Sequence, residues 1–258
     1  DLHLSLRRQR QMCIRDSACT AVSVGTELYV WLNGAEPGRP PSFPHPTGYC
    51  SAGTVIDKGP GVAGVEIGDR VAGQGCHASH QLLDSLFHRI PDGVAWEDAV
   101  YLVMAAIAIR AVRKGRLTLG ESLVVLGAGI VGQLALSLSR LSGALPAIAV
   151  DLDDSRLDHA LRRGADRAIN PGTTDDAIGA VCDMCLDDGA RVVIEATGKP
   201  AVYPLAVQLA CRGGRVVALG SPRGTVEMDF MRDVHLREVE LIGLSLIHIS
   251  EPTRPRLI

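Results

Sequence analysis

From Ser122 onward, short apolar runs alternate with longer segments in which apolar residues recur at helical spacing. Leu123 to Leu126, Ala147 to Val150, Arg191 to Ile194, Arg215 to Leu219 and Val239 to Ile242 read as strands. Between them the pattern predicts helices over Ile130 to Ser142, Ser155 to Arg163 with Gly164 closing it, Asp175 to Leu186, and Ala201 to Cys211 with Gly213 beyond. Strands that are apolar throughout and separated by helices belong in a parallel sheet covered on both faces. The expected fold class is therefore α/β, with a doubly wound parallel sheet in this part of the chain.

Upstream the pattern changes. Ala18 to about Met104 is rich in Gly and Pro, with brief β-type runs at Ala21 to Val24, Gly53 to Asp57 and Arg70 to Ala72. That predicts a β domain with long loops. Trp96 to Lys114 is almost wholly helix-forming and largely apolar, with Glu97 and Asp98 where a helix N-terminus favours acids. It reads as a buried helix joining the two parts.

The two ends stand apart. Met12 to Ser17 can be encoded by DNA whose reverse complement reads Leu-Ser-Leu-Ile-His-Ile, which is residues Leu244 to Ile249. A sequencing-library adapter on both ends of a DNA fragment gives that relation, so residues 1–17 and 244–258 are expected to be an adapter-derived arm and tail. The natural segments are then an incomplete β domain over 18–104 and the α/β domain over 105–243.

The 258 residues carry a formal net charge of −3. Setting aside the arms, with Arg7, Arg8, Arg10, Arg15, Arg254 and Arg256 against Asp1, Asp16 and Glu251, leaves a more acidic core. Such a chain has no footprint for nucleic acid or an anionic membrane, and small-molecule substrates are the expected partners. The longest apolar run, Ala99 to Ile109, falls short of the ~20 residues that cross a bilayer. The scattered Cys19, Cys50, Cys76, Cys182, Cys185 and Cys211 form no disulfide framework, which fits a reducing cytoplasm. A homodimer through the second domain is a candidate assembly.

The clearest chemistry lies at Val124-Val125-Leu126-Gly127-Ala128-Gly129-Ile130-Val131-Gly132, a G-x-G-x-x-G pattern with a strand before it and an amphipathic helix after it. Gly127 suits a tight turn, Gly129 a close approach of backbone to a pyrophosphate, and Gly132 close packing of helix on strand. Phosphates would meet the N–H groups of Ile130 and Val131 at the helix start. Asp151 ends the next strand, where a carboxylate accepts hydrogen bonds from the adenosine ribose and repels a 2′-phosphate. NAD is therefore expected over NADP, with Arg156 close enough to contact the ribose or soften that preference.

Further runs occur in a telling order: Val24-Gly25-Thr26-Glu27, Gly48-Tyr49-Cys50-Ser51-Ala52-Gly53, Gly68-Asp69-Arg70-Val71, Ile90-Pro91-Asp92-Gly93, the glycine turn, Val193-Ile194-Glu195-Ala196-Thr197-Gly198 and Gly213-Gly214-Arg215-Val216-Val217. Over Ala18 to Gly243 the chain resembles the medium-chain dehydrogenase/reductase family, alcohol dehydrogenase-like enzymes with a GroES-like catalytic domain and a Rossmann domain. The resemblance implies that Ala196 and Thr197 line the adenosine side and that Leu219, Gly220 and Ser221 approach the nicotinamide. At the positions where zinc-dependent members bind their catalytic metal, this chain has Val24, Tyr49 and about Val103, none of them a usual zinc ligand. The four-cysteine structural-zinc lobe is also missing, since Cys76 alone lies between Val71 and Ile90. Cys182-x-x-Cys185, and Cys76 with His77 and His80, are read as structural rather than metal-binding. The expected protein is a zinc-independent oxidoreductase.

Without a metal, a side chain must polarise the carbonyl and move a proton. Thr26 matches the family's relay hydroxyl, Tyr49 replaces the metal-binding His, and Tyr29 could extend the relay. The leading expectation is reversible, NAD-linked interconversion of an alcohol and a carbonyl. Reduction of an activated C=C bond, as in zinc-free quinone reductase-like relatives, and nucleotide binding without turnover stand as alternatives.

Overall fold

The structure, a computed structural model, describes residues 13–33, 40, 42–83 and 87–245. The chain divides into two compact units at Val103/Met104. Residues 1–12 and 246–258 of the expected arm and tail lie outside the described residues.

The first unit holds a five-stranded sheet of β1 (Cys13–Ala21), β2 (Cys50–Lys58), β3 (Arg70–Gly73), β4 (His80–Leu83) and β5 (Phe87–Arg89), in the order β4-β1-β2-β3-β5. Its pairings are antiparallel. Val55, Val65 and Val71 form its small core, with Val62 and Phe87 packed against them. Cys13 to Ser17, assigned to the arm on sequence, are the first part of β1; all five pair with β2, and Cys13 to Asp16 pair with β4 as well. A strand ladder is made by backbone N–H and C=O groups, which any non-proline residue supplies.

The expected β-run at Ala21 to Val24 gives way to helix α1 (Val24–Asn33). The cause is local. The Glu27 carboxylate accepts from the Ser23 N–H at 2.8 Å, and the Glu27 N–H donates to the Ser23 carbonyl at 2.9 Å, closing the first turn from both sides. The expected single helix from Trp96 to Lys114 is two, α2 (Trp96–Ala99) and α3 (Leu102–Lys114). Tyr101 N–H bonds the Asp98 carbonyl three residues back, which tightens the last turn of α2 and ends it.

The second unit is a parallel six-stranded sheet of β6 (Leu123–Leu126), β7 (Ala147–Val150), β8 (Arg167–Ile169), β9 (Ala190–Glu195), β10 (Ala210–Ala218) and β11 (Glu240–Gly243), in the order β11-β10-β9-β6-β7-β8. Helices α4 (Ile130–Leu141), α5 (Asp154–Arg162), α6 (Ala177–Cys182) and α7 (Tyr203–Leu209) alternate with the strands. This is a doubly wound Rossmann sheet. Val124, Leu126, Ile148, Val193 and Val216 lie in its core, each at most 2 % exposed. β6 has β7 on one side and β9 on the other, so connections leave it in opposite directions and open a crevice at the carboxyl ends of β6 and β9.

Boundaries differ from the sequence reading where side chains intervene. The helix expected to run to Cys211 stops at Leu209, because the Arg237 guanidinium donates to the carbonyls of Val207, Gln208 and Ala210. Gly213, expected as the helix stop, sits at φ +69° in a bulge of β10, where pairing jumps from Ala210 opposite Ala190 to Arg215 opposite Val192. The helix expected over Asp175 to Leu186 shortens to α6, capped by Asp176 through the Gly179 N–H at 2.8 Å. The edge strand β8 and a π-helix over Phe230–His235 carry no clear periodicity in the sequence. Among the described residues no helix is long and apolar enough to cross a membrane.

Candidate functional site

The glycine turn follows β6 and opens α4, as its pattern requires. Gly127 adopts φ +92°, and a Cβ there would meet Thr197 Cγ2 at 2.8 Å. A Cβ on Gly132 would stand 1.8 Å from the Gly127 carbonyl oxygen, so only glycine lets α4 rest on the turn. Gly129, the N-cap of α4, has open space around it and no side chain to cap the helix. The turn is thus closed by backbone below and open above, with the first N–H groups of α4, including those of Ile130 and Val131, at a positive helix end. These residues fit a phosphate group.

Asp151 stands beside the turn at the end of β7. Its Oδ2 accepts from the Ala128 N–H at 2.6 Å and its Oδ1 from the Asp153 N–H at 3.0 Å, with its side chain 10 % exposed. Arg156 is exposed, its guanidinium 3.8 Å from both Asp151 and Asp153. Gln133, which the sequence did not flag, donates to the carbonyls of Ala128 at 3.1 Å and Arg156 at 2.8 Å and stitches the turn to α5.

Two further loops meet the glycine turn. Ala196 N–H bonds the Leu126 carbonyl at 2.8 Å, and a Cβ on Gly220 would stand 2.2 Å from the Gly198 nitrogen. The loops after β6, β9 and β10 therefore lie backbone against backbone, bringing together Gly127 to Gly132, Ala196, Thr197, Leu219, Gly220 and Ser221. Thr197 and Ser221 are exposed, whereas Leu219 is 5 % exposed and serves as floor. Beneath them lies Glu195, fully buried and absent from the sequence candidates. Burial pushes its carboxyl above the usual range, against the hydrogen bonds from Thr197 and Gly198.

The first unit gathers a second polar group. Tyr49 Oη donates to Ser23 Oγ at 3.0 Å, and Ser23 Oγ to Thr26 Oγ1 at 3.2 Å. Burial pushes the Tyr49 phenol above its usual value, so it is a protonated donor at neutral pH. Thr26 is exposed, and the hydroxyl series runs from a half-buried phenol to solvent. Glu27 carries the second half: its Oε1 accepts from Ser23 N–H, and its Oε2 lies 3.1 Å from His77 Nε2, whose Nδ1 lies 2.8 Å from Thr20 Oγ1. The imidazole covers Gly48, where a Cβ would meet its ring at 2.8 Å. Sequence reasoning named Thr26 and Tyr49 but missed Ser23, whose only signal was its place just before α1. Tyr29 stands on α1 one turn beyond Thr26.

The donor set at the expected metal positions does not fit zinc. Val24 is 64 % exposed on α1, Tyr49 is a protonated phenol within the hydroxyl series, and Val103 has no donor atom. Cys76, His77 and His80 do not converge, since His77 faces Thr20 and Glu27 while His80 faces Asp16 at 4.0 Å. Among the described residues no group of three or more His, Cys, Asp or Glu is placed to hold a metal ion.

A family model described as zinc-binding dehydrogenase matches residues 131–256. L-threonine 3-dehydrogenase of Pyrococcus abyssi is 28 % identical over 272 residues, covering 93 % of this chain and 77 % of that protein. Sorbitol dehydrogenase of Bombyx mori is 29 % identical over 231 residues, 76 % of this chain and 66 % of that protein. Among solved structures, one from Sinorhizobium meliloti bound to NADP matches with a TM-score of 0.78 at 22 % identity, over 91 % of this chain and 77 % of that one.

Proposed function

The chain belongs to the medium-chain dehydrogenase/reductase family, and from that premise we propose that it interconverts an alcohol and a carbonyl with NAD(H) and without catalytic zinc. The observation that carries this reading is the glycine turn, in which the Gly127 carbonyl occupies the space a Cβ on Gly132 would need. That turn leaves one open face, lined by backbone N–H groups at a helix start, suited to a dinucleotide pyrophosphate.

Bound nicotinamide would supply or accept the hydride. The chain's own residues supply the rest. Gly127 to Gly132 and the start of α4 hold the phosphates, and Asp151 keeps the turn in shape while placing a carboxylate where a 2′-phosphate would be repelled. The exposed Arg156 works against that exclusion. Thr197 and Ser221 offer hydroxyls from the neighbouring loops. Tyr49 relays the substrate's proton: in oxidation the substrate hydroxyl donates to Tyr49 Oη, whose own proton passes to Ser23 and on to the exposed Thr26, and in reduction the series runs in reverse, with Tyr49 donating to the carbonyl oxygen. The relatives' names, threonine and sorbitol dehydrogenase, point to small hydroxylated metabolites as the substrate class. Burial pushes the thiols of Cys182, Cys185 and Cys211 above their usual range.

Fluorescence titration with NADH and NADPH tests the cofactor reading, with Asp151→Ala as control. Saturable NADH binding, tighter than NADPH and weakened in the variant, is expected; a folded protein that binds neither would sink it. A substrate panel with and without a chelator then follows. Oxidation of small polyols or hydroxy acids that survives chelation is expected, whereas turnover of enones alone would assign C=C reduction instead.

A further inference from the structure

Glu195 ends β9, between Leu126 of β6 and Ala218 of β10 in the parallel ladder. It is fully buried, and no function assigned above uses it. Its Oε1 accepts from the Thr197 N–H at 2.8 Å, from the Thr197 hydroxyl and from the Gly198 N–H at 3.2 Å. Its Oε2 lies 3.2 Å from the same Gly198 nitrogen. Its backbone carbonyl accepts from Leu219 N–H at 2.9 Å and Gly220 N–H at 2.7 Å. From α7, the Tyr203 hydroxyl faces the carboxyl and reaches the Gly220 carbonyl at 3.4 Å.

A buried carboxylate is costly unless its lone pairs are satisfied. Here the donors are the backbone of one cofactor loop and two hydroxyls, so the requirement of the carboxylate for partners fixes the shape of that loop. The same residue fixes the next loop through its main chain. Neither loop could be so placed without the other, because Gly198 and Gly220 leave no space for a Cβ between them.

We propose that Glu195, with Tyr203 behind it, is the positioning residue of the cofactor cradle, a buried carboxylate that gathers the loops after β9 and β10 against the glycine turn. The proposal rests on the dinucleotide reading for its functional consequence, but the latch itself can be measured without ligand. Glu195→Ala should raise amide exchange at Thr197 and Gly198 in the unliganded protein, and weaken NADH binding, by about tenfold or more, as expected for lost hydrogen bonds to a charged acceptor. Glu195→Gln keeps an acceptor on the same framework and should restore both to within about threefold, on the scale of a neutral hydrogen bond.

Wild-type exchange and wild-type NADH affinity in Glu195→Ala would overturn the proposal. Faster exchange in a protein that binds no NADH even as wild type would support the latch and overturn the cofactor reading. If Glu195→Ala does not fold, Tyr203→Phe decides. It removes one donor behind the carboxyl and should speed exchange at Gly198 and Gly220 selectively; no change there would overturn the proposal.

Discussion

The crest of the parallel sheet and the hydroxyl cluster on α1 fix their groups by opposite means. At the crest, position follows from missing side chains. Gly132 leaves room for the Gly127 carbonyl, Gly220 for the Gly198 nitrogen, and Gly127 for Thr197. In the cluster, position follows from polar side chains reaching across sequence, Ser23 to Tyr49 and Thr20 to His77, beside a helix with no buried residue. Steric exclusion admits one arrangement, whereas a net hydrogen bond contributes only about 1 kcal/mol. The crest should therefore fail on adding a methyl group, and the cluster should lose chemistry long before it loses its fold.

The sharpest way to break that contrast is Gly132→Ala. The Cβ would overlap the Gly127 carbonyl, and the expected cost is about 3 kcal/mol or more, with NADH binding lost. Gly129→Ala is the matching control. Nothing stands within 4 Å of its Cβ, so urea denaturation should show wild-type stability, while the methyl group at the open face weakens NADH binding by about tenfold. Equal behaviour of the two variants would mean that the turn yields freely.

In the other direction, Tyr49→Phe should lower kcat by about ten- to a hundredfold, within the usual range for a proton-transfer group, and shift the denaturation midpoint little. Ser23→Ala should follow it at smaller amplitude, because Thr26 also bonds the phenol. Unfolding of Tyr49→Phe with no change in turnover per folded molecule would reverse the roles of the two regions.

Gly48→Ala tests a place where the first unit borrows the logic of the crest. Gly48 has φ +86° and the His77 ring lies against it. The expected cost is about 1–3 kcal/mol by chemical denaturation, with reduced activity as His77 is displaced from Glu27.

What the sequence revealed follows the same division. The strands at Leu123 to Leu126 and Ala147 to Val150 were legible to the residue because fully buried parallel strands are continuous apolar runs. The glycine turn was legible because its geometry is local and excludes other residues. α1 was not, since its start depends on Glu27 folding back on Ser23 and its apolar residues Val24, Leu28 and Trp31 face outward, leaving no stripe to read. The end of α7 was hidden for a similar reason, being set by Arg237 from 27 or more residues away. Asp151 was found for its place after β7, but its bond to Ala128 N–H follows only once β7 lies beside β6. Glu195 looked like one more residue of a strand end, because nothing in a linear sequence marks which way a single carboxylate points.

The smallest expected effect is the most specific to the crest. Burial raises the Glu195 carboxyl above its unfolded value, so the folded protein holds this proton to higher pH than the unfolded chain does. The corresponding stability is complete below the unfolded value, about 4.3 for a glutamic acid, and is lost as pH rises through the raised folded value. Glu195→Gln carries no titrating group and lacks that loss. Urea denaturation across this window should therefore show the stability of the variant rising relative to wild type as pH increases, whatever constant offset the substitution brings. A difference that falls with pH would mean that the Thr197 and Gly198 donors outweigh burial. The hydrogen bonds that hold the latch would then favour the ionised carboxylate by more than burial disfavours it.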